Sequence, residues 1–143
     1  MSLNPLTALC PFDGRYASKM EPLRGVFSEY GLMARRVRVE IEWLKKLASA
    51  HEISECPAFS DFTLVELNAL ITDYSVADAE AIKAIEARTN HDVKAMEYWL
   101  KDCLAGNPEA VRAGEFIHFA CTSEAVSYTH LRAHETVLEL VCR

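Results

Sequence analysis

The chain has 143 residues, 50% of them hydrophobic and 25% charged, with a formal net charge of -6. That length suits one modest core, and an acidic balance without a basic stripe excludes a dedicated nucleic-acid surface. Five cysteines with no C-x-x-C spacing exclude a disulfide framework and favour a reducing cytoplasm, and the absence of a long apolar window or signal-peptide pattern excludes a membrane span or secretion leader as an expectation.

Residues 1–20, with Pro5, Pro11 and Gly14, read as an irregular arm. Asp13-Gly14 is a turn signal, and Arg15 beside Tyr16 is either a solvated arginine or a planar donor fork for phosphate or carboxylate. Pro22 to about Ala50 carries the longest helical pattern, with Leu23, Val26, Phe27, Tyr30, Met33, Val37, Ile41, Leu44 and Leu47 at three- and four-residue steps. Arg35, Arg36 and Arg38 read as a solvated face, with Arg38–Glu42 and Glu42–Lys46 as four-residue charge pairs. Such a helix reaches on the order of 40 Å. One small globule does not cover so long a stripe, so a partner is expected to share it.

Residues 53–61 form a connector marked by Pro57. Thr63-Leu64-Val65-Glu66 has capping-box spacing and opens a helix of about 63–74. Ser75-Val76-Ala77-Asp78 opens another, with Ala79, Ile82 and Ile85 inward. A fourth helix runs from Val93 to about Leu104, with Val93, Met96, Leu100 and Cys103 inward and Tyr98 and Trp99 flanking. Gly106-Asn107-Pro108 ends it.

Between the last two helices, Asn90, His91 and Asp92 put amide, imidazole and carboxylate side by side at a break. Two readings stand. In one, Asn90 or Asp92 caps the following helix and His91 is solvated. In the other, the free N–H groups of that helix start help to hold an anion. Further on, Glu115 to Glu124 reads as a buried, extended entry to a helix. Thr122 and Ser123 there are either an ordinary N-cap or a hydroxyl cradle for a carboxylate. His118, between Ile117 and Phe119, reads as a satisfied core histidine rather than a catalyst.

Four motifs in order, Pro11-Phe12-Asp13-Gly14-Arg15-Tyr16, Phe27-Ser28-Glu29-Tyr30-Gly31-Leu32, Thr89-Asn90-His91-Asp92-Val93-Lys94-Ala95 and Glu115-Phe116-Ile117-His118-Phe119-Ala120-Cys121-Thr122-Ser123-Glu124, resemble the bacterial adenylosuccinate lyases over about residues 3–124. The resemblance implies an all-α fold of the fumarase/aspartase superfamily. It implies an N-terminal helical lyase domain over 1–112 and the start of a central bundle over 113–124, the chain departing from the family before the long helical bundle. It implies a homotetramer whose active sites each draw on three subunits, with no metal or organic cofactor. The implied reaction is anti β-elimination of fumarate from adenylosuccinate, giving AMP, and from SAICAR, giving AICAR. By the same resemblance Arg15 and Tyr16 bind the nucleotide end, and Asn90, His91 and Asp92 line the substrate pocket. His91 then serves as an auxiliary catalytic group near the succinyl moiety, while Thr122 and Ser123 hold the fumarate-side carboxylate.

After Glu124 the chain departs from the family pattern. Residues 125–143 read as a non-family tail of the kind that translated adapter read-through produces. Thr129-His130 lacks the Gly-Gln that completes the family's catalytic histidine motif, and His130 with His134 has zinc-like i,i+4 spacing but no third ligand. The resemblance places the acid/base histidine and the catalytic serine beyond residue 124, so the 143-residue chain alone is expected to be inactive. A non-catalytic helical self-association module, resting on the long apolar stripe, is the alternative.

Overall fold

The computed structural model describes residues 6–56 and 58–121. The chain falls into two compact units, Met1–Met33 and Ala34–Arg143. Among the described residues every regular element is helical: α1 (Ala17–Phe27), α2 (Glu29–Ala48), α3 (Asp61–Thr72), α4 (Val76–Thr89), α5 (Asp92–Cys103), α6 (Pro108–Arg112) and a 3-10 turn, Gly114–Phe116. The all-α expectation is met. No described helix is long and apolar enough to cross a membrane.

The expected single helix from Pro22 to Ala50 is two helices. Ser28 divides them with extended backbone, φ -83° and ψ 166°. Its hydroxyl donates to the Arg24 carbonyl at the end of α1 and accepts the Gly31 N–H at 3.1 Å. One serine thus closes α1 and caps α2, because its side chain satisfies backbone groups that neither helix satisfies itself. Gly31 makes the close backbone approach possible: a Cβ there would lie 2.6 Å from the Gly25 carbonyl oxygen and 2.9 Å from the Val26 carbonyl carbon. Pro22, expected at a helix start, lies inside α1. No residue of α1 is buried, and Leu23 and Phe27 are exposed. The apolar stripe is covered only from Met33 onward.

In the second unit, Val37, Ile41, Leu44 and Leu47 of α2 are buried together with Leu67 of α3, Ile82 of α4, and Val93, Met96, Trp99 and Leu100 of α5. Each such side chain contributes roughly 1.5–3 kcal/mol by leaving water. α4 packs on α5, and Tyr74 meets the Trp99 ring edge-on at 5.8 Å. Trp99, expected at the flank, is buried. Cys103, expected inward, is exposed, and Leu104 is buried beside it.

Ser60, not Thr63, caps α3, its hydroxyl accepting the Thr63 N–H at 3.4 Å. Thr63 is buried and its hydroxyl is committed elsewhere. It donates to Glu109 at 2.6 Å and accepts from the Asn107 amide at 2.9 Å. Asn107 also donates to Glu66 at 2.5 Å, and its oxygen caps α6 through the Glu109 and Ala110 N–H groups. A sequence pattern that resembles a capping box is here a tertiary staple between α3 and α6. The helix start at Ser75 is as expected, with Asp78 accepting the Ser75 N–H at 2.8 Å.

Candidate functional site

The polar break between α4 and α5 is tightly built. Asn90 closes α4 in the left-handed region, φ 51° and ψ 35°, where asparagine is among the few tolerated side-chain-bearing residues. His91 then turns extended, at φ -150°, and is itself the N-cap of α5: its Nδ1 accepts the Lys94 N–H at 3.1 Å. The helix-cap reading gave that role to Asn90 or Asp92, and the structure gives it to His91, whose ring stays exposed as that reading had it. Asp92 is the first residue of α5. Its Oδ1 accepts the Val93 N–H at 2.8 Å and its Oδ2 accepts from Arg36 Nη1 at 2.6 Å. The helix-start N–H groups of Val93 and Lys94, expected to await an anion, are therefore taken by the chain's own side chains. What the junction still offers outward is side-chain groups.

The cap fixes what His91 offers. An acceptor lone pair on Nδ1 puts the ring proton of the neutral imidazole on Nε2. The side chain is 55% exposed, so it presents an N–H donor outward. In that state it is a positioned donor, not a base. Asp92 is held in its charged form. Burial opposes ionisation, but the Arg36 guanidinium and the Val93 N–H outweigh it and keep the carboxyl below its ordinary value. One turn along α5, buried Glu97 bridges Lys94 at 2.8 Å and Lys101 at 3.2 Å. Burial again opposes the charge there, and the two lysines more than compensate.

Arg36 was expected on a solvated face. It is buried, on the inner side of α2 beside Val37. Four residues on, Glu40 is 2% exposed, and its Oε1 lies 2.6 Å from His118 Nδ1. Trp43 Nε1 donates to the Phe119 carbonyl at 2.8 Å. The segment around His118 is not the extended entry expected from its apolar residues. After the 3-10 turn it winds through His118 at φ 63° and Ala120 at φ 58°. His118 is satisfied, as expected, but by a buried carboxylate and from a half-buried position. Sequence reasoning missed Arg36, Glu40 and Trp43. The available signal was that Arg36 and Glu40 recur on the same helical period as Met33, Val37 and Ile41.

Arg15 and Tyr16 belong to the first unit. The Arg15 guanidinium lies 5.4 Å from the Tyr16 ring centre, and both residues are exposed. Asp13 of the same motif pairs with Arg24 at 3.2 Å. Thr122, Ser123 and the tail with His130 and His134 lie outside the described residues. Of the sequence-derived site residues, the structure thus describes Asn90, His91 and Asp92 at one junction of the second unit and, within the first unit, Arg15 against Tyr16.

A family model described as lyase matches residues 14–140. That match extends past Glu124, where the motif resemblance stopped. The adenylosuccinate lyases of Haemophilus influenzae and Escherichia coli K12 are each 53% identical to this chain over 127 residues, covering 89% of it and 28% of the relative. The adenylosuccinate lyase of Vibrio cholerae is 54% identical over 129 residues, covering 90% of this chain and 28% of the relative. The chain spans about 28% of the length of these curated relatives. Matched by the family model over most of its length, and more than half identical to these bacterial enzymes across the shared span, the chain belongs to the lyase family.

Proposed function

We propose that this chain is the N-terminal part of an adenylosuccinate lyase, contributing substrate-holding groups to the β-elimination that releases fumarate from adenylosuccinate and SAICAR. The observation that carries this reading is its 53% identity, over 89% of its length, to enzymes of that name. The chemistry asks for fixed donors around a dianionic succinyl group. A base removes a weakly acidic proton beside a carboxylate, charge spreads onto that carboxylate, and an acid protonates the departing nitrogen. Outward-facing Nε2–H on His91 suits the donor role, with Asn90 beside it and Asp92 holding the junction through Arg36. Arg15 and Tyr16 take the nucleotide end, and Thr122 and Ser123 the fumarate-side carboxylate. The complete enzyme is proposed to be a cytoplasmic homotetramer acting on these small molecules without a cofactor.

Titration of the 143-residue chain with AMP by calorimetry tests this. Arg15→Ala is expected to weaken binding by about tenfold or more, the loss of a charge-assisted contact. A folded chain that gives no AMP signal overturns the reading. The chain alone is expected to release no fumarate from adenylosuccinate in an absorbance assay. A second reading, a self-associating helical module, draws on exposed Phe12, Leu23 and Phe27, which with Met20 border a groove of about 520 Å³ in the first unit. It predicts concentration-dependent sedimentation without nucleotide binding.

A further inference from the structure

We propose that Arg36 opens the His91 junction to an anionic ligand. It neutralises the Asp92 carboxylate that stands beside the His91 donor, and so acts as a positioning residue through Asp92 rather than by touching the ligand. The inference rests on the proposed role of this junction in holding a succinyl carboxylate.

Asp92 presents a conflict that the fold has to resolve. Its carboxyl pins the start of α5, accepting the Val93 N–H at 2.8 Å and Arg36 Nη1 at 2.6 Å. The same carboxyl lies next to the outward donor, with Asp92 Oδ1 3.9 Å from His91 Nδ1. An anion on the Nε2–H of that ring stands one ring width and one hydrogen bond further out, within the screening length of about 8–10 Å in ordinary salt. The Asp92 side chain is 47% exposed, so its charge is felt there. On a chain whose formal net charge is -6, an unbalanced carboxylate at that place repels a dianion. The lysines of α5 do not supply the balance. Lys94, in the first turn, is committed to Glu97 at 2.8 Å, and Lys101 is shared between Glu97 at 3.2 Å and Glu115 at 3.1 Å. That string alternates in sign and sums to zero. Arg36 is the cation on Asp92, and with its side chain 11% exposed it meets the junction from inside, leaving ligand contact to His91 and Asn90. Burial shields the pair from the salt screening that weakens exposed ones. A guanidinium stays charged and binds in a fixed fork, so one contact both neutralises Asp92 and places it.

The probe is fumarate, its affinity for the 143-residue chain read by ligand-detected NMR. Arg36→Met is expected to weaken fumarate about tenfold, the scale of one uncompensated charge near a protein surface. Arg36→Lys, which keeps the charge, should lose less than about threefold. Asp92→Asn in the Arg36→Met background removes the repelling charge and should restore affinity to within about threefold of the unaltered chain. A merely structural role for Arg36 predicts no such rescue. Its absence overturns the proposal, as does an Arg36→Met chain that binds normally. If Arg36→Met does not fold, Asp92→Asn alone decides. It leaves the guanidinium unbalanced and should tighten fumarate about threefold, and equal or weaker binding overturns the proposal. A folded, unaltered chain that ignores fumarate defeats the succinyl-holding reading by itself. Neutralisation is then read in the free chain, from the relaxation that cationic and anionic nitroxide probes impose on the Asn90 and His91 amides. Arg36→Met must raise the ratio of cationic to anionic effect by about twofold or more, and Asp92→Asn must reverse the rise. An unchanged ratio overturns the inference.

Discussion

Replacing His91 separates its two roles. The Nδ1 acceptor satisfies the Lys94 N–H at 3.1 Å, one of the donors that a helix start leaves without a partner. His91 is 55% exposed at its side chain, so water takes over that N–H when the ring is removed. The cost of His91→Ala therefore belongs at the low end of cap losses, about 0.5–1 kcal/mol. For a domain of this size that is a fall of roughly 2–6 °C in Tm. His91→Asn supplies a better capping oxygen at the same place and should recover most of the loss. Neither variant carries the outward Nε2–H. Fumarate affinity should then fall by a similar factor in both, while stability falls in only one. Thermal denaturation followed by circular dichroism gives the first quantity and calorimetric titration the second. The reasoning is refuted if His91→Asn is as unstable as His91→Ala, or if His91→Asn binds as the unaltered chain does.

Gly31→Ala should destabilise the first unit by about 1–3 kcal/mol, because the new Cβ meets backbone rather than a movable side chain; proteolysis between α1 and α2 reads it, and Gly25→Ala, with open space around it, is the silent control. Asn107→Ala removes the α6 cap and two donated bonds at a buried position, and is expected to lower the urea-derived stability by about 2–4 kcal/mol. Asp92 and Glu97 both have carboxyls lowered from their ordinary values in the fold, so the unfolded chain binds protons first as pH falls. Their contribution is fully present above the usual carboxylate range of about 4 and is lost as pH drops through the lowered folded values. The urea midpoint should hold steady from pH 7 to 5 and decline below about 4, more shallowly in Asp92→Asn; identical slopes in the two proteins contradict the pairing with Arg36.

The helical periods were legible because apolar spacing reports which face is inward. Val37, Ile41, Leu44, Leu67, Ile82, Val93, Met96 and Leu100 are buried where that spacing puts them. The breaks were harder to read. Ser28 sits within an unbroken apolar period, and nothing in that period says that its hydroxyl serves both helices. Gly31, three residues on, was the readable hint. Thr63-Leu64-Val65-Glu66 satisfies a local capping rule, yet Thr63 and Glu66 answer to Asn107, more than forty positions away. Local rules cannot register a partner that only the fold supplies. The same holds at the candidate site. Asn90, His91 and Asp92 stand out in sequence as polar residues at a break, but that His91 caps while Asp92 pairs with Arg36, more than fifty positions away, depends on the fold.

That dependence bears on why charges lie inside α2 at all. A buried ion pair adds little net stability, since desolvation offsets most of the attraction, and apolar side chains of similar volume often do as well or better. Arg36 is 9% exposed and Glu40 2%, and Arg36 Nε and Glu40 Oε2 are buried without a partner among the described residues. A helix selected for packing alone has no use for either group. Each of them ends on a polar residue whose own backbone is in an uncommon or terminal conformation: Asp92 at the first turn of α5, His118 at positive φ. What the charges contribute is direction. A guanidinium and a carboxylate bind at fixed atoms, whereas an apolar contact tolerates sliding along the helix. The inner face of α2 thus carries two kinds of information: an apolar period that holds the second unit together, and a polar one, a turn apart, that fixes the start of α5 and the turn at His118.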